Sequence, residues 1–172
     1  MNQDKKQFVI NRVNSFYPHV KVKFFHGQGA NSFVAGKAIY FNYEIINRLQ
    51  VPQLQALVDH EVAHYKYGHV YVNRFMFMIW VLGTGLPWLY VSTIHFFYLA
   101  QISALSFMVC AWIYRGIIRR QEYIADRYSV TYNGPREVIK MLVEVSNTDL
   151  FKSSFSHPSI KDRINKINGH QV

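Results

Sequence analysis

The run His60-Glu61-Val62-Ala63-His64 sets two imidazoles four residues apart, with a glutamate directly after the first. On a helix, positions i and i+4 lie on one face about 6 Å apart, so both rings can bind one Zn²⁺. Glu61 is one step round the helix and does not ligate in line with them. It projects beside the metal, where a carboxylate can take a proton from a metal-bound water. A catalytic zinc takes three protein ligands and keeps a fourth position open, so one more ligand must come from elsewhere in the chain. The metzincin spacing would put a histidine at residue 70, which is Val70. His69 falls one residue short. On a continued helix it would lie roughly 140° around from His64, and it reads as a polar residue at a helix end. The glutamates after His64 are Glu122, Glu137 and Glu144. Glu122 opens the run Glu122-Tyr123-Ile124-Ala125-Asp126, in which Asp126 follows one helical turn later. Glu122 can ligate, and Asp126 can accept the second N–H of a ligating imidazole. A solvated helix face paired with Arg119 or Arg127 is the plainer alternative for these two carboxylates.

The elements that must position these groups are divided by one feature. From Phe75 to Tyr114 there is no Lys, Arg, Asp or Glu. A bilayer-spanning helix needs about 20 apolar residues, so this block holds two spans, near 75–91 and 96–114. Residues 92–95 form the turn between them, and Gly83, Gly85 and Pro87 are candidates to kink the first. The flanking residues are too few to wrap so long a hairpin as a soluble core. Arg74 precedes the block, and Arg115, Arg119 and Arg120 follow it, whereas the turn has neither Lys nor Arg. That bias puts both flanks, and so the active site and both termini, in the cytoplasm. The net charge of +9 beside such a block fits an anionic membrane surface and not nucleic acid. The single cysteine, Cys110, makes no intrachain disulfide, so nothing points to an oxidising compartment. No apolar run near the N-terminus has the length of a cleaved signal.

Around the block, apolar spacing of Phe8, Val9, Val13 and Phe16 predicts a helix over 3–16. The segment 20–25 alternates and reads as a strand. Residues 27–42 read as two short β pieces, a hairpin or sheet edge. Pro52 and the spacing of Leu54, Leu57, Val58 and Val62 predict a helix over 51–70. Past the block, helices are expected up to Asn133-Gly134 and over 135–146, with a short last helix after a loop. The fold class is therefore mainly α with a small β-sheet, an α+β zincin-like catalytic domain with one transmembrane helical hairpin. The catalytic halves are 1–74 and 115–172, and the hairpin is 75–114. The two site helices are read as direct extensions of the two spans, so that the hairpin brings His64 to Glu122.

The ordered set of H-E-x-x-H, apolar hairpin and E-x-x-x-D resembles the membrane zinc metallopeptidases of the HtpX and CAAX-prenyl-protease type, which are gluzincins of metallopeptidase family forty-eight. Asn31-Ser32-Phe33 is similar to that family's N-A-F segment, with serine in place of alanine. His157-Pro158 followed by Arg163 is similar to its His-Pro stretch and arginine. The likeness runs from about residue 27 to about residue 164. The chain departs from HtpX-type proteins in having a short polar helix where they have a first hydrophobic hairpin. The resemblance implies one Zn²⁺ per chain held by His60, His64 and Glu122, with Asp126 behind a ligand. It implies Glu61 as general base and His157 as oxyanion donor. It also implies an edge strand at Asn31, Ser32, Phe33 and Val34 that pairs with extended substrate, and Arg163 as a contact for a substrate carboxylate. The implied protein is a multi-pass endopeptidase of a bacterial inner membrane. It would cleave protein or peptide substrates, membrane proteins among them, in quality control or processing. The lipid bilayer is a partner, nucleic acid is not, and the oligomeric state is left open. Two other readings stand beside this one. An intramembrane site-2-type protease would need its site helix in the bilayer, but residues 47–59 and 65–69 are too polar for that. A catalytically inactive zinc-binding membrane scaffold or adaptor would keep the metal for structure alone.

Overall fold

The computed structural model describes residues 3–27, 32–90, 96–147 and 157–169. Helix α1 (Gln3–Phe16) buries Val9 and Val13 against the rest of the catalytic unit. Three strands follow: β1 (Lys21–Phe25), β2 (Ser32–Ala35) and β3 (Ala38–Asn42). Their order in the sheet is β1-β3-β2, with β3 parallel to β1 and antiparallel to β2. The middle strand is the most buried, at Ala38, Ile39, Phe41 and Asn42. Among the described residues β2 has one strand neighbour only, so it is a sheet edge, as the sequence predicts.

Asn42 then turns strand into helix. Its side chain accepts a hydrogen bond of 2.9 Å from the Glu44 N–H and caps α2 (Tyr43–Arg48), satisfying a backbone donor that the helix cannot. This short helix has no counterpart in the sequence reading. Six residues are too few for a helical period to declare itself, although Ile45 and Ile46 reach the core.

Helix α3 (Val51–Lys66) is the centre of the unit, and it packs against α1, α5, α6 and the sheet. Leu54, Val58 and Val62 are fully buried, and such burial stabilises by about 1.5–3 kcal/mol per side chain. The helix does not run on to residue 70. It ends at Lys66, and Gly68 follows with φ +64°, a left-handed conformation that glycine adopts at no steric cost. Helix α4 (His69–Gly85) starts in a new direction from there. The site helix is therefore not an extension of the first apolar helix, a correction to the sequence reading that turns on one glycine.

Helix α4 passes at Gly85 into a 3₁₀ turn, Leu86–Tyr90, at the segment where Pro87 removes a backbone donor. Residues 91–95, where the sequence puts the turn, lie outside the described residues. Helix α5 (Phe96–Asn133) returns antiparallel to α4. Trp80 meets Phe107 with ring centroids 5.0 Å apart, and Ser103 Oγ donates to the Thr84 carbonyl at 3.3 Å. Among the described residues only α5 has the length and apolarity of a membrane span. A second span over 75–91 is not shown. Both helices nonetheless expose Phe75, Phe77, Leu105, Met108 and Trp112 broadly. A contiguous apolar surface of this kind is rare on a monomer in water.

Helix α5 continues unbroken into the catalytic unit and stops at Asn133, before Gly134 and Pro135. Helix α6 (Pro135–Ser146) packs Val138, Met141, Leu142 and Val145 into the core. Helix α7 (Ile160–Asn168) is capped by Ser159, whose hydroxyl accepts from the Asp162 N–H at 3.1 Å, and it buries Arg163 and Ile167.

Candidate metal centre

Helices α3 and α5 lie antiparallel, and polar contacts fix their register. The buried Ser129 hydroxyl donates to the Ala56 carbonyl at 2.7 Å. Asn133 Nδ2 donates to Asp59 Oδ2 at 2.8 Å. Asp59 also receives the Arg12 guanidinium through Nε at 2.9 Å and Nη2 at 2.7 Å, which ties α1 to the same point. With Ala56 opposite Ser129, the residue one turn along α3 faces Asp126, and the next turn faces Glu122. That register sets His60 and His64 against two carboxylates of α5.

The three donor atoms form a small triangle. His60 Nε2 and His64 Nε2 are 3.1 Å apart, and Glu122 lies 3.6 Å from each through Oε2 and Oε1 respectively. Tetrahedral zinc with bonds of about 2.0–2.2 Å needs donors about 3.3–3.5 Å apart. Two neutral imidazoles and one carboxylate also match the ligand chemistry of an open zinc site. The triangle fits the metal that the sequence implies.

The surroundings are buried and charged. Asp126 Oδ1 lies 3.1 Å from His60 Nδ1, off the line of a full hydrogen bond. Arg163 donates to Asp126 through Nε at 2.8 Å and Nη2 at 2.5 Å, and its Nη1 is 3.2 Å from Glu122 Oε2. Burial works against protonation of His60, but Asp126 and Glu122 outweigh it and raise that ring to about 9. Burial and the neighbouring His60 lower His64 to about 3. Burial would raise Glu122, yet Arg163 and His60 hold it well below the usual range. Asp126 is also held low, against its burial, by Arg163. Glu61 is pushed up by burial to about 7, against the pull of His60. A carboxyl that titrates near neutrality suits both taking up and giving back a proton.

His60, Glu61, His64, Glu122 and Asp126 converge here. Arg163 converges too, but in another posture. The sequence predicts a contact for a substrate carboxylate, whereas the guanidinium is only 5% exposed and is occupied by Asp126 and Glu122. His157 stands at the mouth, its Nε2 3.8 Å from Glu122 Oε1 and its side chain 44% exposed. Strand β2, carrying Ser32, Phe33 and Val34, packs beside α3, with Phe33 stacked on Tyr40 at 4.7 Å. Asn31 lies outside the described residues.

Two groups escaped the sequence reading. One is the Arg12–Asp59–Asn133 tie. The other is His69, which is 5% exposed and holds Nδ1 2.8 Å from Nδ1 of His64. The angle of roughly 140° that dismissed it assumes a continuous helix, and Gly68 breaks that helix. The glycine between the two histidines is the signal that could have found it.

The sequence model of peptidase family M48 matches residues 3–171. The crystal structure of Ste24p from S. mikatae superposes with a TM-score of 0.63 at 18% identity, covering 92% of this chain and 49% of that one. At that identity the likeness concerns the fold, and the chain spans about half the length of that protein. No curated protein matches the sequence.

Proposed function

The chain belongs to peptidase family M48, a family of metallopeptidases, and on that premise we propose that it is a zinc-dependent endopeptidase working at the cytoplasmic surface of a membrane. The single observation that carries this reading is the His60–His64–Glu122 triangle, with Glu61 buried in the same pocket. Zinc bound there would polarise the scissile carbonyl and bring a water's pKa down to about 7.

The remaining work falls to the chain itself. An extended substrate adds to the free edge of β2 and is held through its backbone, largely without regard to sequence. Glu61 takes the proton of the attacking water and passes it to the leaving amine nitrogen. His157, exposed at the mouth, donates to the oxygen that becomes negative. Arg163 holds Glu122 and Asp126 in place, and Asp126 braces His60. The apolar faces of α4 and α5 sit in lipid, as two spans with both termini cytoplasmic. Membrane proteins of a bacterial inner membrane, presenting loops and tails at its surface, are the substrates that such a position serves.

Detergent-purified protein tests the reading. The wild type is expected to carry about one zinc per chain and to cleave an unfolded fluorescent protein substrate. Glu61→Gln should keep the zinc and lose cleavage. A Glu61→Gln protein that cleaves at the wild-type rate would remove the peptidase assignment, as would a wild type that binds zinc but cleaves nothing.

A further inference from the structure

His64 and His69 share one short contact, and the protons on it can be assigned by elimination. The argument rests on the zinc reading above. To ligate through Nε2, His64 must keep a lone pair there, so its ring proton sits on Nδ1. The structure turns Nε2 toward the site, 3.1 Å from His60 Nε2 and 3.6 Å from Glu122 Oε1. It turns Nδ1 the other way, 2.8 Å from His69 Nδ1. Two facing N–H groups would clash at that separation, and only one proton fits between the nitrogens. His69 Nδ1 is therefore bare, and the His69 proton is on Nε2.

We infer that His69 is the positioning residue for His64: a neutral imidazole that accepts the His64 Nδ1–H and so fixes both the orientation and the tautomer of this ligand. The local fold is built to hold it there. Gly68, at φ +64°, turns the chain so that the first residue of α4 faces back onto the last turns of α3. The two rings meet edge-on at 75°, with centroids 4.8 Å apart. Tyr67 stacks on the His69 ring at 5.9 Å.

The choice of an imidazole for this position follows from charge. His60 already has the anionic partner Asp126, and Glu61 and Glu122 share the pocket with one arginine. With zinc bound, its two charges and that of Arg163 already balance Glu61, Glu122 and Asp126, so a carboxylate behind His64 would leave one buried negative charge in excess. A neutral acceptor orients the ring without that cost. The two histidine ligands are thus braced by partners of different charge, one an aspartate and one a histidine.

The test uses the full-length protein with His69→Phe, which keeps a ring but has no acceptor, and His69→Asn, whose Oδ1 can stand near the lost Nδ1. Zinc affinity is read by competition with a fluorescent chelator. The His64 tautomer is read in zinc-free protein from ¹H–¹⁵N spectra of labelled histidine. In the wild type the proton should be on Nδ1 of His64 and on Nε2 of His69. His69→Phe should weaken zinc by about 10- to 100-fold and let the His64 proton exchange between its nitrogens. His69→Asn should recover most of both. Unchanged affinity in His69→Phe, or Asn no better than Phe, would overturn the inference, because packing alone would then explain the contact. A wild type that binds no zinc would instead overturn the metal reading beneath it, while the zinc-free spectra would still report on the histidine pair.

Discussion

Replacing Arg163 by methionine separates two roles for that residue. Its guanidinium faces Asp126 at 2.5 and 2.8 Å and Glu122 at 3.2 Å, in a pocket where all three residues are at most 8% exposed. A charge pair of this kind at about 4 Å is worth about 4 kcal/mol at an effective dielectric of about 20, and two carboxylates share this cation. Desolvation of the three ions offsets much of that attraction, so the pair adds little net stability when intact. Removing one partner is different, because the carboxylates stay buried without their counter-charge, at a cost of about 3–5 kcal/mol. Arg163→Met should therefore lower the zinc-free unfolding free energy by that amount in urea titrations of the detergent-solubilised protein. Zinc should narrow the gap, since a cation bound at Glu122 replaces part of what the arginine supplied. Lysine should rescue poorly, because a point charge cannot make the paired bonds to Asp126. A loss below about 1 kcal/mol, with only KM for substrate raised, would refute this account and return Arg163 to the role of a substrate contact.

Four further outcomes are expected. Glu122→Ala should lose zinc by elemental analysis, and full occupancy would remove Glu122 from the ligand set. Asp126→Asn should insert normally but bind zinc about 10- to 100-fold more weakly, measured at low free zinc so that excess metal does not mask the change. Gly68→Ala has space for its methyl group but forces an L-residue to a left-handed φ, so it should cost about 1–2 kcal/mol and weaken zinc as His69 shifts. In a background lacking Cys110, single cysteines at Ser15 and Ser156 should resist an impermeant reagent in intact cells, and labelling of either would overturn the cytoplasmic assignment of the termini.

The site histidines and the α5 carboxylates were legible because ligand chemistry forces residue types into fixed spacings on helices. His60 and His64 need i and i+4, and Glu122 and Asp126 need the same. Most helices were legible for a similar reason, as long periodic segments with a proline or glycine at their ends. What failed to show depends on direction changes that a period cannot carry. The break at Gly68 converts His69 from a residue on the wrong face into a neighbour of His64. Arg163 is expected to contact a substrate carboxylate, and only the docking of α7 against α5 reveals that it is enclosed by Asp126 and Glu122. The Asn42-capped helix α2 is too short for a repeating pattern, and its signal is a single polar residue at the end of a strand.

Helix α5 runs without interruption from the apolar segment to the third candidate ligand, and that makes it a ruler. Tyr114 ends the uncharged block, and Glu122 follows eight residues later on the same rod, which at about 1.5 Å per residue would set the site about 12 Å above the hydrocarbon edge of a bilayer crossed as proposed. The headgroup layer occupies about 5–7 Å of that height. With α5 spanning the bilayer as proposed, a tail leaving the membrane must rise the same distance to reach the catalytic pocket. An extended chain climbs about 3.3 Å per residue, so about four residues of any anchored substrate stay out of reach. Cleavage would then stop short of the bilayer and leave stubs of nearly uniform length, and proteins with shorter tails would be spared whatever their sequence.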